Sequence, residues 1–277
     1  MKYLVYNPLS GKGDGCQAAE TYAKTCDGEC NLLDIRSIES FDDFINNLKD
    51  SDEIIIFGGD GTLNRFVNSV GDREIPAQVF YMPAGTGNDF YNDIARNQAG
   101  PVQINQYIKG LPTVTVEGKD YKFINGIGFG IDGYCCEVGD KIKESGKQPN
   151  YTAIAIKGLL FHHKPTNATV SVDGKEYSFK KVWIAPTMYG KFYGGGMMPA
   201  PLQERGGDTV SLMLFHGSGK LKTLMIFPSL FKGTHVKHEK HIAVISGKNV
   251  TVKFDAPTAL QIDGETHLNI TEYSVRI

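Results

Sequence analysis

Ile54-Ile55-Ile56-Phe57 is an unbroken apolar run with three β-branched members, which predicts a strand covered on both faces. It stops in Gly58-Gly59-Asp60-Gly61, and apolar residues then return at helical spacing as Leu63, Phe66, Val67 and Val70. Two further runs have the same form. Tyr3-Leu4-Val5-Tyr6 precedes Asn7-Pro8-Leu9-Ser10-Gly11-Lys12-Gly13, and Val79-Phe80-Tyr81-Met82 precedes Pro83-Ala84-Gly85-Thr86-Gly87-Asn88-Asp89-Phe90. A helix over 15–24, a strand over 31–36 and a helix over 41–48 complete a β-α alternation, which predicts a doubly wound α/β layer ending near 110–113.

The pattern changes beyond that point. Short alternating runs at 113–116 and 121–124 flank Glu117-Gly118-Lys119-Asp120, and runs at 168–172 and 177–179 flank Asp173-Gly174-Lys175. More short strands are predicted at 183–185, 209–215, 241–246, 250–254, 260–262 and 273–277, with helices at 134–144, 151–161 and 221–230. The expected fold class is therefore α/β plus β. Residues 1–112 form a doubly wound domain on a parallel sheet, and 113–277 an antiparallel β-sandwich-like domain with a few helices.

Composition narrows the partners. The 277 residues are 41% hydrophobic and 22% charged, as in an ordinary water-soluble domain pair. A net charge of −2 argues against nucleic acid, which calls for a basic stripe. No apolar run is long enough to span a bilayer, and the chain enters a strand at once rather than a leader segment. The expected location is cytoplasmic, peripheral to the inner face of the membrane. The five cysteines (Cys16, Cys26, Cys30, Cys135, Cys136) form no CxxC pair and read as reduced thiols rather than a zinc site.

The three glycine turns carry the candidate chemistry. A strand ending in glycines and restarting as a helix presents bare backbone N–H groups at a positive helix end, where phosphate binds. Asp60 beside phosphate is repulsive unless a cation lies between them, and a nucleotide with Mg²⁺ meets that requirement. The competing reading makes Asp60 a carboxylate that fixes its loop through local N–H groups, and the two roles are compatible.

With these residues in place, the chain resembles the diacylglycerol kinase catalytic family, which includes bacterial soluble lipid kinases and sphingosine kinases. Asn7-Pro8 with Ser10-Gly11-Lys12 is similar to its first motif, Gly58 to Asn64 to its GGDGT signature, and 83–90 to its GTGNDF element. Gly128-Phe129-Gly130-Ile131-Asp132, the stretch 194–201, Asp208 and Ile262-Asp263-Gly264-Glu265 match the landmarks of its second domain. The resemblance implies an ATP site in the cleft between the two domains, with lipid entering from the second. It implies nucleotide binding by Asn7, Pro8, Ser10, Gly11, Lys12, Gly58, Gly59, Asp60, Gly61, Thr62, Asn64, Gly85, Thr86 and Asn88, with Ser37 as a weaker match. Asp60, Asp89 and Asp132 correspond to carboxylates that hold catalytic Mg²⁺, largely through water, and Asp208 to a separate structural Mg²⁺ site. Asp263 matches the catalytic base, with Glu265 as the second candidate; Asp60 is counted with them as catalytic.

There are departures from the family pattern. Arg65 stands where glutamate is common and Ser69 where glycine is frequent. Tyr91-Asn92 replaces a small residue and an arginine, which leaves Arg65 and Arg96 as candidates for the lost phosphate contact. The chain after Glu265 is short, so the return of the last strand toward the first domain stays open. The expected activity is Mg²⁺-assisted transfer of the ATP γ-phosphate to the primary hydroxyl of diacylglycerol or a related lipid. Transient contact with a membrane surface is expected, and a second copy of the chain is a candidate partner. The rivals are a kinase of a soluble substrate, of the NAD kinase type, and a non-catalytic nucleotide- or lipid-binding protein that keeps the fold. His235, His238 and His241, spaced by three among lysines and a glutamate, read as a solvated face rather than a metal site.

Overall fold

The computed structural model describes residues 1–10, 14–85, 87–95 and 98–277. The chain divides into two units, Met1–Leu111 and Pro112–Ile277. The first alternates strand and helix: β1 (Lys2–Tyr6), α1 (Asp14–Thr25), β2 (Cys30–Asp34), α2 (Phe41–Asn46), β3 (Glu53–Gly58), α3 (Asp60–Val70), β4 (Gln78–Pro83), α4 (Asp89–Ile94), β5 (Val102–Gln103) and α5 (Asn105–Ile108). Strand order is β2-β1-β3-β4-β5, parallel except for β5. The antiparallel edge strand was not legible in the two-residue stretch that forms it.

The buried run of β3 explains its central place. Ile54, Ile56 and Phe57 have no exposed surface, because β1 and β4 flank the strand and helices cover its faces. Ala19 of α1 packs with Leu4, Ile55 and Phe57 on one face. The stripe Leu63, Phe66, Val67 and Val70 buries α3. Phe41 of α2 meets Phe66 edge-on at 6.1 Å, and the Ser40 side chain caps α2 by accepting the Asp43 N–H at 3.1 Å. The order β2-β1-β3 reverses direction at β1, so loops leaving β1 and β3 diverge to opposite faces. A crevice at their carboxyl ends is where this topology binds ligands.

The second unit contains β6 (Thr113–Val116), β7 (Lys119–Lys122), β8 (Gly126–Gly130), α6 (Ile131–Glu144), α7 (Tyr151–Lys157), β9 (Thr166–Val172), β10 (Lys175–Val182), β11 (Ile184–Met188), β12 (Val210–Phe215), α8 (Lys220–Ile226), β13 (Ile242–Gly247), β14 (Asn249–Ile262) and β15 (Glu265–Arg276). A π-helical turn, Gly158–His162, continues α7, and 3-10 turns, Phe227–Lys232 and Thr234–Lys237, follow α8. The antiparallel order is β13-β12-β11-β8-β14-β15-β6-β7. β14 is the shared strand: Val250 to Phe254 pair with β9, and Leu260 to Ile262 pair with β8. The predicted strands 250–254 and 260–262 are thus one element, whose register shifts between Lys253 and Leu260 around Pro257. β15 pairs with β14 and β6, inside this unit.

One cysteine expectation is corrected. Cys26 and Cys30 are joined by a disulfide across the turn at Gly28, while Cys16, Cys135 and Cys136 are free. A spacing of four carries no pairing signal, because the turn that brings the two sulfurs together lies between them.

Candidate active site

The described residues of the three turns of the first unit meet at one sheet edge. The Asn7 N–H donates to the Phe57 carbonyl at 3.4 Å, joining the exits of β1 and β3. Ser10 and Thr62 share a hydroxyl hydrogen bond of 2.6 Å, and Asn7 fixes its own turn by accepting the Leu9 N–H on Oδ1 at 3.0 Å. On the other side, the Gly58 carbonyl accepts the Ala84 N–H at 2.8 Å and the buried Tyr81 hydroxyl at 3.0 Å. Gly59 and Gly85 touch: a Cβ on Gly85 would lie 2.5 Å from the Gly59 Cα. Only glycine lets the second and third turns approach this closely.

The N-terminus of α3 opens from this edge. The Gly59 carbonyl already accepts the Thr62 and Leu63 N–H groups. Gly61 is exposed, with nothing within 4 Å of where its Cβ would stand. Its amide lies in the first turn of an eleven-residue helix, at the positive end of the dipole. Pro8 lies in the first turn, and Asn88 ties the third together: its Oδ1 accepts the Gly85 N–H at 3.1 Å and its Nδ2 donates to the Gly85 carbonyl at 2.8 Å. Asn88 is left-handed, with φ 54°.

Asp60 ties the second turn to the third. Its two oxygens accept the Phe90 N–H at 2.8 Å and the Asp89 N–H at 3.0 Å. The loop-fixing role weighed in the sequence is therefore present. Asp89 is buried beside it, and the two carboxylates, after burial itself, push the Tyr81 phenol well above its ordinary range. Asp60 and Asp89 are thus neighbouring acids at this edge, and Mg²⁺ is bound in general through one or two carboxylates, substrate phosphates and water. Among the described residues no group of three His, Cys, Asp or Glu side chains is placed to hold a metal by itself.

In the second unit the acid pair sits on the β14–β15 turn. Asp263 is left-handed, with φ 46°, and its carboxylate accepts three consecutive amides: Ile124 at 2.6 Å, Asn125 at 2.9 Å and Gly126 at 3.0 Å. The Asp263 N–H returns a bond to the Gly126 carbonyl at 3.0 Å. Arg205 braces the same loop, donating to the Ile124 carbonyl and to the Asn125 Oδ1 at 2.8 Å. Glu265 is exposed, and among the described residues its carboxylate has no hydrogen-bond partner.

The other predicted residues fall elsewhere. Asn64 is buried on α3, where its Oδ1 accepts from Asn68 at 3.2 Å. Ser37, beyond the end of β2, is exposed and donates to the Asp34 carbonyl at 2.8 Å. Asp132 is buried at the start of α6 and accepts from Gln261 Nε2 at 3.2 Å; burial pushes its carboxyl up to about 8, against the smaller opposing effect of that amide. Asp208 is exposed and paired with Lys248 at 2.7 Å, which holds its carboxyl below the usual range. Gly11, Lys12, Thr86 and Arg96 lie outside the described residues. Sequence reasoning overlooked Tyr81 and Gln261. Gln261 was signalled by a polar residue inside the apolar run Ala259-Leu260-Gln261-Ile262, which has to be bonded when buried.

Comparison with known proteins bears on both units. Residues 2–116 match the family model described as the diacylglycerol kinase catalytic domain. Residues 125–274 match that described as the YegS C-terminal NAD kinase beta sandwich-like domain. A Staphylococcus aureus (strain Mu3) protein named "Putative lipid kinase" is 27% identical over 286 residues, covering 96% of this chain and 90% of its own. A crystal structure described as a diacylglycerol kinase from Bacillus anthracis str. Sterne matches with a TM-score of 0.63 at 17% identity, over 99% of this chain and 93% of that one. A second from the same organism reaches 0.69 at 18% identity, covering 99% and 91%. These likenesses show the same fold: a mostly parallel α/β domain followed by an antiparallel one. The chain belongs to the diacylglycerol kinase catalytic-domain family, in the two-domain form that carries the YegS-type beta sandwich-like second half.

Proposed function

We propose that the chain is an ATP- and Mg²⁺-dependent lipid kinase that moves the γ-phosphate of ATP to the primary hydroxyl of diacylglycerol or a related lipid. The observation that carries this reading is the meeting of three glycine turns at the β1/β3 switch edge, with Asp60 and Asp89 beside them, in a chain of this family. Phosphoryl transfer needs two positioned substrates and neutralised charge more than covalent help from the protein. The turns built on Asn7, Pro8, Ser10, Gly58, Gly59, Gly61, Thr62, Gly85 and Asn88 offer backbone donors and close approach for the phosphates. Gly11, Lys12 and Thr86 are assigned to the same role. Mg²⁺ held near Asp60 and Asp89 would supply charge neutralisation.

Asp263 is assigned as the acceptor of the hydroxyl proton, with Glu265 as the second acid. The three amides on Asp263 fix its direction, as a base requires, and give it a structural role as well. The test is incubation with γ-labelled ATP and Mg²⁺, with extracted lipids in one reaction and NAD in a parallel one, followed by identification of the labelled product. A labelled phospholipid is expected. Labelling of NAD instead would establish the soluble-substrate rival, and no turnover across a broad lipid panel would establish the non-catalytic one.

A further inference from the structure

The helical side of the second unit carries a surface unlike the rest of the chain. Segments 151–165 and 217–238 contain Lys157, Lys164, Lys220, Lys222, Lys232 and Lys237 and no aspartate or glutamate, in a chain whose acids outnumber its bases. All of these lysines are exposed. The same segments present large apolar side chains to solvent: Phe161 is 72% exposed, Leu221 76% and Met225 70%.

These residues are not misplaced core. The inner faces of both segments fill one core, with Ala155 and Leu159 on one side and Ile226, Phe227 and Leu230 on the other. The Lys220 ammonium donates to the Leu160 carbonyl at 2.9 Å, tying the start of α8 to the π-helical turn beside Phe161. Leu221 and Met225 are four apart on α8, so they share its outer face, while Thr223 and Ile226 are buried beneath. An outer helix face is ordinarily polar. Here it is apolar side chains set among lysines, the composition of an element lying in the headgroup region of a bilayer.

We propose that this face docks the protein onto an anionic lipid bilayer, with Phe161, Leu221 and Met225 entering the interface and the surrounding lysines on lipid phosphates. The charge decides between occupants: a second copy of the chain would set lysine against lysine, whereas an anionic membrane complements every cation on the face. The proposal deepens the lipid-kinase reading and rests on it for its purpose, but the binding itself requires no turnover.

The test is flotation of the full chain, without ATP, with vesicles of phosphatidylcholine alone and of phosphatidylcholine mixed with phosphatidylglycerol. Binding to the mixed vesicles, weakened by salt, is expected. Leu221→Ser with Met225→Ser should abolish it at an unchanged melting temperature. Lys222→Glu with Lys232→Glu should weaken it by roughly fivefold or more per lysine. Equal binding by all variants, no vesicle binding by the wild type, or self-association that the Leu221→Ser/Met225→Ser pair abolishes would each overturn the proposal. Binding through this face by a protein that phosphorylates no lipid would uphold the docking surface and reject the kinase reading.

Discussion

Asp263→Asn separates what the acid turn does for the fold from what it does for chemistry. Asparagine tolerates the left-handed φ of 46° as well as aspartate does, so the substitution leaves the backbone unstrained and changes only the carboxylate. The amide oxygen can still accept from Asn125 and Gly126, but as a neutral acceptor it loses about 1 kcal/mol on each bond. The amide nitrogen then faces the Ile124 N–H, donor against donor, where the aspartate bond was 2.6 Å. Ile124 and Asn125 are buried, so the orphaned N–H costs about 1–3 kcal/mol. Discounted because Asp263 is itself partly exposed, the total is about 2–3 kcal/mol, or a melting temperature lower by roughly 5–10 °C.

The assay is thermal unfolding of the full chain, with hydrogen exchange followed at the amides of Ile124, Asn125 and Gly126. Faster exchange at these three is the specific signature. A wild-type melting temperature with undisturbed protection would refute the latch. If Asp263 is also the base, turnover falls by a further factor of about 10²–10⁴ at temperatures where the variant is fully folded, with ATP affinity preserved.

Two other outcomes follow from local geometry. Gly85→Ala places a methyl 2.5 Å from the Gly59 Cα, so one of two touching turns has to move; a loss of about 1–3 kcal/mol and a weaker affinity for ATP are expected, by thermal melts and nucleotide titration. In Mg²⁺-free buffer Asp132 holds a proton in the folded state up to about pH 8 but in the unfolded chain only up to about pH 4. Between those values the folded state binds more protons, so its stability falls as pH rises through the window and levels off above it. Asp132→Asn should flatten that slope in denaturant midpoints measured from pH 5 to 8, and an unchanged slope would assign it elsewhere.

What could be read from the sequence follows from the range of each interaction. The β3 run and its glycine exit are local: four apolar residues make a covered strand whatever surrounds them, and glycines announce a close approach before the neighbour is known. The three turns were therefore legible, although the bond from Asp60 to the start of α4 could only be posed as an alternative. Pairings set by distant register were not. β14 was split at its bulge because Pro257 and the polar residues near it imitate a loop. Asp208 was matched to a metal site from its motif, and the ion pair it makes with Lys248, just ahead of β14, could not be foreseen. The latch of Asp263 joins residues 137 to 139 positions apart, which no local pattern encodes.

Asp60 and Asp263 turn out to use the same device, a carboxylate that accepts consecutive amides of another turn. A relative that had lost catalysis would still need both acids to keep its turns, so their presence weighs less toward an active enzyme than the motifs imply. Glu265 has no such duty: it is exposed, and among the described residues its carboxylate has no partner. Glu265→Gln is therefore expected to leave the unfolding free energy within about 0.5 kcal/mol of wild type. Any fall in lipid phosphorylation at that unchanged stability reports chemistry alone, and a bell-shaped pH profile that loses its acidic limb in this variant would make Glu265 the proton acceptor. Wild-type rates in Glu265→Gln, with Asp263→Asn inactive while fully folded, would leave the proton with Asp263.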